Sequence, residues 1–131
     1  MRLYRITWIF ILALIILVSL VILPTTLFTR MLRKDIEKFE DGMNRINQQL
    51  VEGQNPGEAC DDLERLWHSH RRHWSFYVHH NIVDNLDMLF SAYLAESRNQ
   101  NVKAALSEAA RIDSLLRAAE ENDRLSWYNV F

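Results

Sequence analysis

The 131-residue chain carries 15 basic and 17 acidic residues, and the formal net charge of −2 gives no global attraction to nucleic acid. Cys60 is the single cysteine, which excludes an intramolecular disulfide. Only three glycines and two prolines occur and strand-like alternation is absent, so the chain is predicted to be all-α.

An uncharged apolar segment near the N-terminus is long enough to cross a bilayer. It runs from Ile6 to Leu23, and no charged residue occurs between Arg5 and Arg30. As a helix this interval reaches roughly 36 Å, against about 30 Å for the hydrocarbon core. We therefore predict a transmembrane helix, with Pro24 at its end or at a kink near the surface.

The flanking charges bear on the orientation of this segment. Arg2 and Arg5 favour a cytoplasmic N-terminus, but basic residues compete from the other side, namely Arg30, Arg33, Lys34 and Lys38. A short tail before the span is typical of a signal anchor, so we predict a single-pass cell-membrane protein with an extracytoplasmic C-terminal domain. A cleaved signal peptide is the alternative, but the residues up to Pro24 lack the small-residue cleavage pattern.

A heptad stripe follows the apolar segment. Its apolar positions step by four and three residues: Leu32, Ile36, Phe39, Met43, Ile46 and Leu50. The stripe predicts an amphipathic helix that packs in a bundle, and the alternative is the seam of a parallel homodimeric coiled coil. Gly42 lies inside the stripe and weakens a helix by up to about 1 kcal/mol relative to alanine, so packing must hold this helix.

A loop at residues 53–58 separates this helix from the next. Gly53 suits the left-handed residue after a helix, Asn55 suits an N-cap and Pro56 suits the first helical position. Because the loop is short, the next helix is predicted to run back antiparallel to the first.

The region from Pro56 to Glu96 reads either as one very long helix or as two helices with a joint near Ser75. One side is lined by Cys60, Leu63, Trp67, Trp74, Val78, Ile82, Leu86, Leu89 and Tyr93. A polar break at residues 97–101 precedes a last helix with a seam of Val102, Ala105, Ala109, Ile112, Leu116 and Ala119. The apolar residues 125–131 are predicted to dock onto the bundle, or alternatively to bind a partner or the membrane surface.

These elements predict two parts. Residues 1–28 form an N-terminal transmembrane anchor, and residues 29–131 form an antiparallel bundle of three or four helices.

All five histidines lie between residues 68 and 80, and no acidic residue occurs between Glu64 and Asp84. A metal site is one interpretation, with helical pairs at His70 and His73 and at His80 and Asp84. Each pair is only half a site, and the neighbouring arginines would repel a cation. We therefore predict no metal and no other cofactor.

A basic interaction surface is the second interpretation of this stretch. It would comprise Arg65, Arg71, Arg72, Trp74 and Tyr77, and it would face lipid head groups or an acidic protein. Protonation of the histidines would strengthen such contact, so pH sensitivity follows as a hypothesis.

The favoured interpretation is a solvated helix face with one or two structural histidines, which would form a polar seam between helices in which His80 hydrogen-bonds Asp84. The four-three rhythm of the seam includes Leu66, His70, His73, Tyr77, His80, Asp84 and Asp87. Such a seam fixes the register of packed helices without doing chemistry.

Catalysis finds no support in the sequence. A nucleophile elbow, a phosphate-binding glycine loop and a Cys-x-x-Cys pair are all absent. Cys60 lies beside Asp61 and Asp62, which would raise rather than lower the pKa of its thiol. The chain is therefore predicted not to be an enzyme.

The order of features resembles a known family. An N-terminal span and a heptad helix are followed by Trp67, by His80 four residues before Asp84, by an alanine-rich helix and by Leu125-Ser126 ahead of Asn129. This order resembles an uncharacterised family of small single-span membrane proteins of Gram-positive, often spore-forming, bacteria. The resemblance implies an anchored helical domain and supplies no catalytic residue or ligand.

Together these observations predict a membrane-anchored helical interaction or scaffold module without catalytic activity. Its partners would be the lipid bilayer and another membrane or envelope protein. The alternative is a membrane-tethered sensor that binds a metal or small ligand through the histidine-rich stretch 68–84.

Overall fold

The structure, a computed structural model, describes residues 2–128, without the side chains of Tyr77 and of residues 123–128. It is all-α, as predicted, with four helices in the described chain: α1 (Arg2–Val51), α2 (Gly57–Tyr77), α3 (His80–Arg98) and α4 (Val102–Tyr128). The chain divides into two compact units, Met1–Leu32 and Arg33–Phe131. The predicted docking of residues 125–131 lies outside the described side chains.

The first unit is the apolar part of α1. Among the described helices, only α1 is long and apolar enough to cross a membrane, and its most apolar 18-residue window has a mean hydropathy of 3.1 with none of it buried. The helix does not end at Pro24. Pro24 lacks the N–H that would bond the carbonyl one turn back, yet the helix continues through it. The next two residues bond carbonyls of the preceding turn: Thr25 Oγ1 donates to the Val21 carbonyl at 2.8 Å and Thr26 Oγ1 to that of Ile22 at 3.2 Å.

The second unit is a four-helix bundle whose core is the predicted set of stripes. The five residues of the α1 stripe that lie in this unit, from Ile36 to Leu50, are buried, with Phe39 and Ile46 fully so, and Leu32 at the end of the first unit is also buried. The α4 seam is buried from Ala105 to Ala119, and only Val102 at its start is half-exposed. The α1 stripe is thus packed inside a single chain, and a homodimer through it stays a prediction that would require the bundle to open.

Contacts between helices show that neighbours run antiparallel. Trp74 near the end of α2 bonds Asp35 near the start of the bundle part of α1. Arg98 at the end of α3 likewise bonds Asp61 in the first turns of α2. Arg33 on α1 pairs with Glu120 on α4.

The region from residue 56 to 96 is two helices. The break falls at Val78 and His79, a few residues beyond the predicted joint at Ser75, and Val78 is extended with φ −102° and ψ 140°. The α1–α2 turn has Gly53 at φ +74°, which confirms its left-handed conformation. Asn55 Oδ1 accepts the Gly57 N–H at 3.0 Å, but the N-cap position is taken by Pro56 and not by Asn55, so α2 begins one residue later than predicted.

Candidate interaction surfaces

A buried carboxylate joins α1 to α2 inside the bundle. Asp35 is only 8% exposed, and its Oδ2 accepts a hydrogen bond from the Trp74 indole N–H at 3.0 Å. Its Oδ1 lies 3.3 Å from His70 Nε2. The other ring nitrogen of His70 lies 2.9 Å from the Leu66 carbonyl one turn back, which fixes the orientation of the ring. The two partners satisfy the buried carboxylate and fix the position of α2 against α1.

An aromatic cluster surrounds Phe39 next to this carboxylate. The Phe39 ring centroid lies 5.7 Å from those of Trp67, His70 and Phe90 and 5.5 Å from that of Trp74. Trp67 and Phe90 are closer still, at 4.8 Å. These distances and the mostly tilted or edge-on ring pairs are those of a packed core. Trp67, His70 and Trp74 therefore help to hold α1, α2 and α3 together.

Two residues of α3, Asp87 and Tyr93, make polar contacts with neighbouring helices. The Trp67 indole donates to Asp87 Oδ1 at 2.9 Å, and Arg71 lies 3.4 Å from Asp87 Oδ2. The Tyr93 hydroxyl is bonded to Asn47 Oδ1 at 2.6 Å and to the Met43 carbonyl at 3.1 Å. Burial raises the pKa of Tyr93, which keeps the hydroxyl protonated as a donor.

Cys60 is fully buried against this part of the core. Burial raises the pKa of its thiol, and the carboxylates of Asp61 and Glu64 raise it further against the opposing effect of Arg98. A neutral buried thiol is a weak nucleophile. The two carboxylates are themselves occupied, because the Arg98 guanidinium bonds Asp61 at 3.0 Å and Glu64 at 2.8 Å.

The structure separates the five residues of the predicted basic surface. Trp74 is fully buried and cannot face a partner, which corrects its assignment: its indole is needed by Asp35. Arg65 is exposed and pairs with Asp62 one turn away, and Arg71 pairs with Asp87. Arg72 is exposed with no ion pair among the described residues. The side chain of Tyr77 is outside the described set.

The histidines are also dispersed. His70 alone reaches across to another helix, while His68, His73, His79 and His80 are exposed. His79 and His80 stack on each other at 4.7 Å, and His79 Nδ1 accepts the Asn81 N–H at the start of α3.

The predicted polar seam is not continuous, because α2 ends at Tyr77 and α3 begins at His80. His73, His80 and Asp84 are exposed instead of lying between helices. The described residues show no hydrogen bond between His80 and Asp84. No group of three or more histidine, cysteine, aspartate or glutamate side chains among them is placed to hold a metal ion.

A groove between α3 and α4 was not predicted from the sequence. It has a volume of about 430 Å³ and is lined by Asn85, Met88, Leu89, Arg111, Ser114 and Leu115. Met88 is 71% exposed, an unusual value for a large apolar side chain on a bundle helix. The only sequence signal was that Met88 and Leu115 fall outside the heptad seams of their helices.

A polar crevice between α1 and α4 contains a pair of carboxyl groups. Burial raises the pKa of Glu40, and the adjacent Asp113 raises it further, while Arg117 opposes them. Arg117 pairs with Asp113 at 3.1 Å. The crevice has a volume of about 350 Å³, and its floor includes Asn44 and Asn47.

Comparison with known proteins gives one family match. The family model described as Domain of unknown function (DUF4363) matches residues 26–130. Neither a curated protein nor a solved structure gives a match. The match confirms the resemblance to an uncharacterised family, whereas the Gram-positive, spore-forming source stays a prediction.

Proposed function

The chain belongs to the DUF4363 family of unknown function, and from this premise we propose that it is a membrane-anchored helical interaction module without catalytic activity. Its partner is another membrane or envelope protein, which docks in the groove between α3 and α4. The bundle lies on the extracytoplasmic side, behind a signal anchor. The observation that carries the proposal is the exposure of Met88, which lines that groove.

Anchoring is supported by the exposed apolar surface of the first unit. Its large apolar side chains from Leu3 to Met31 are 42% to 82% exposed. Exposure of this much apolar surface to water is strongly unfavourable, whereas a bilayer provides the matching solvent. The Arg2 and Arg5 tail before the segment favours the bundle on the far side of the membrane.

The absence of catalysis is supported by how the interior polar groups are used. Asp35, Asp87 and Tyr93 each bond a side chain or carbonyl on another helix. Cys60 is held as a neutral thiol. Because these groups fix helix positions, the surface remains as the part of the described bundle available for function.

The groove fits a protein partner. Its lining combines the apolar Met88, Leu89 and Leu115 with the polar Asn85, Ser114 and Arg111. Protein interfaces likewise combine apolar and polar groups, and methionine adapts well to a partner side chain. A helix of another envelope protein is the simplest occupant, since a groove between two helices accepts a third.

Site-specific photo-crosslinking in cell membranes tests this proposal. A photoreactive phenylalanine analogue replaces Met88 in one variant, and the exposed Lys103 on α4 in a matched control. We expect a discrete protein adduct at position 88 and none at 103. A second probe at the exposed Ser91 should lose its adduct with Met88→Asp and keep it with Met88→Leu. Adducts that are absent at 88, or equal at 88 and 103, would overturn the groove as the docking site.

The sensor alternative rests on a single observation. Of the five histidines, only His70 connects two helices, through Asp35. A metal or ligand that drew His70 away would loosen the α1–α2 contact and transmit a signal to the anchor. Stoichiometric metal that co-purifies in the absence of chelator and is lost in a His70→Ala variant would favour this alternative over the interaction module.

A further inference from the structure

The turn between α2 and α3 forms a corner at one end of the bundle. We define the α2–α3 corner as residues 72–80. Trp74 within it bonds Asp35, and the bundle unit begins at Arg33. The corner is therefore at the end where the chain enters the bundle from the apolar segment. The α1–α2 loop that contains Gln54 is at the opposite end, since α1 runs away from the corner and α2 returns to it.

Phe76 is the exceptional residue of this corner. Its side chain is 84% exposed, the highest value among the large hydrophobic residues of the bundle. Trp74 two residues earlier is fully buried, and Val78 two residues later is 8% exposed. Phe76 is thus left outside by a turn whose other apolar residues with described side chains are packed inside.

Within the corner itself, Arg72 is the only lysine, arginine, aspartate or glutamate, so its formal charge is positive. No acidic residue occurs between Glu64 and Asp84, and Arg72 is exposed with no ion pair in the described part of the chain. Lys34 on α1 is likewise exposed near the Asp35 contact. Asp84, one turn into α3, and Glu121 on α4 are exposed carboxylates of this end, so the positive character belongs to the corner itself.

We infer that the α2–α3 corner is a second membrane contact, in which Phe76 enters the head-group region of an anionic bilayer and Arg72 binds lipid phosphates. An aromatic ring beside basic residues suits this interface. We assign the bilayer as the partner of this corner because the bundle unit begins at Arg33, only ten residues after the apolar segment, so the local concentration of bilayer is high. A protein partner is less suited, since a stable interface buries about 800 Å² on each side and one exposed ring provides far less.

The inference rests on the anchoring in the proposed function, and the test separates the two. The full chain with Cys60→Ala and Ser75→Cys carries a nitroxide at position 75 and is reconstituted in protein-free vesicles of phosphatidylcholine alone or with phosphatidylglycerol. Flotation of the protein with the vesicles measures whether the apolar helix is inserted. The collision rates of the nitroxide with oxygen and with a water-soluble nickel chelate measure whether the corner lies in the bilayer interface or in water. A nitroxide at Gln54→Cys, at the far end of the bundle, is the matched control.

In anionic vesicles we expect the nitroxide at 75 to become less accessible to the nickel chelate and more accessible to oxygen than the nitroxide at 54. Phe76→Ser should abolish this shelter, and it leaves the fold intact because the ring is exposed. Arg72→Gln should weaken the contact about fivefold, the effect expected for one basic residue at an anionic surface. High salt should weaken it further.

Two results would overturn the inference while leaving the anchor intact. One is equal nickel accessibility at positions 75 and 54 in anionic vesicles that float with the protein. The other is shelter at position 75 that appears only in native membranes and not in the protein-free vesicles, which would assign the corner to a protein partner.

Discussion

Asp35 shows most clearly what individual residues contribute to this fold. Its carboxylate is buried in a helical bundle, where an unpaired charge is strongly unfavourable. It is retained because the Trp74 indole and His70 both reach it from α2. This site was hidden from sequence analysis, since Trp74 is 39 residues away and the pattern around Asp35 is that of a charged helix face.

We therefore predict that Asp35→Ala destabilises the protein by about 1–3 kcal/mol, because the buried Trp74 N–H loses its acceptor. Urea unfolding in detergent micelles, followed by tryptophan fluorescence, measures the change. The exposed Asp41→Ala is the control and should have little effect. Trp74→Phe should cost less in the Asp35→Ala background than in the native chain, and equal costs would argue against the bond.

Glu40 gives a prediction about pH. Burial and Asp113 raise its pKa above the ordinary value of 4.5, so the folded chain holds this proton more tightly than the unfolded chain. Above pH 4.5 the unfolded chain releases the proton first, and stability falls as the pH rises through the folded pKa. Glu40→Gln should remove this fall and stabilise the protein near neutral pH by less than about 1 kcal/mol.

Urea unfolding of the native protein and of the Glu40→Gln variant, at a pH below 4.5 and at neutral pH, measures the effect of Glu40 on stability. The exposed Glu37→Gln is the matched control and should preserve the native pH dependence. A Glu40→Gln variant whose stability falls as steeply as that of the native chain would contradict the assignment.

At the scale of elements, the helices that the sequence predicted best are those with an unbroken heptad. A stripe at positions 32–50 must face a neighbour whatever the neighbour is, so its burial follows from period alone. The α2–α3 break is different. Trp74, Val78 and Ile82 keep a spacing of four and all stay buried. The apolar period therefore continues across residues 78 and 79, although the helical backbone is interrupted there.

Gly42 explains how closely α1 and α2 approach. A Cβ atom at this position would lie 2.9 Å from Leu63 Cδ1, and Leu63 is only 1% exposed. The sequence indicated that packing holds this helix, and the structure identifies the contact. We predict that Gly42→Val destabilises the bundle by about 1–3 kcal/mol through overpacking, despite the better helix propensity of valine.

Asn44→Val, at an exposed position of α1, provides the control for Gly42→Val and should change the stability little. A double-mutant cycle with Leu63→Ala measures the contact directly, because the smaller side chain makes room for the added methyl groups. The cost of Gly42→Val should then shrink. An unchanged cost would place the clash elsewhere.

At the scale of the whole molecule, sequence analysis predicted an all-α bundle behind an apolar helix, and both are present. It did not predict the groove between α3 and α4, because a groove depends on which faces the neighbouring helices leave uncovered. It also placed Trp74 on the surface, since aromatic residues among arginines suit an interface as well as a core. The sequence shows the chemical character of these side chains, but only the packing of the helices determines which of them face the core and which face solvent.

The central claim is that the bundle is anchored by the apolar helix and presented outside the cell membrane. Cys60→Ala with Gln54→Cys places a single exposed thiol in the α1–α2 loop, and intact cells are treated with a membrane-impermeant thiol reagent. The native chain is the control, because its only cysteine is fully buried. We predict labelling of position 54 before lysis. Labelling only after lysis would contradict the account and place the groove and its partner in the cytoplasm.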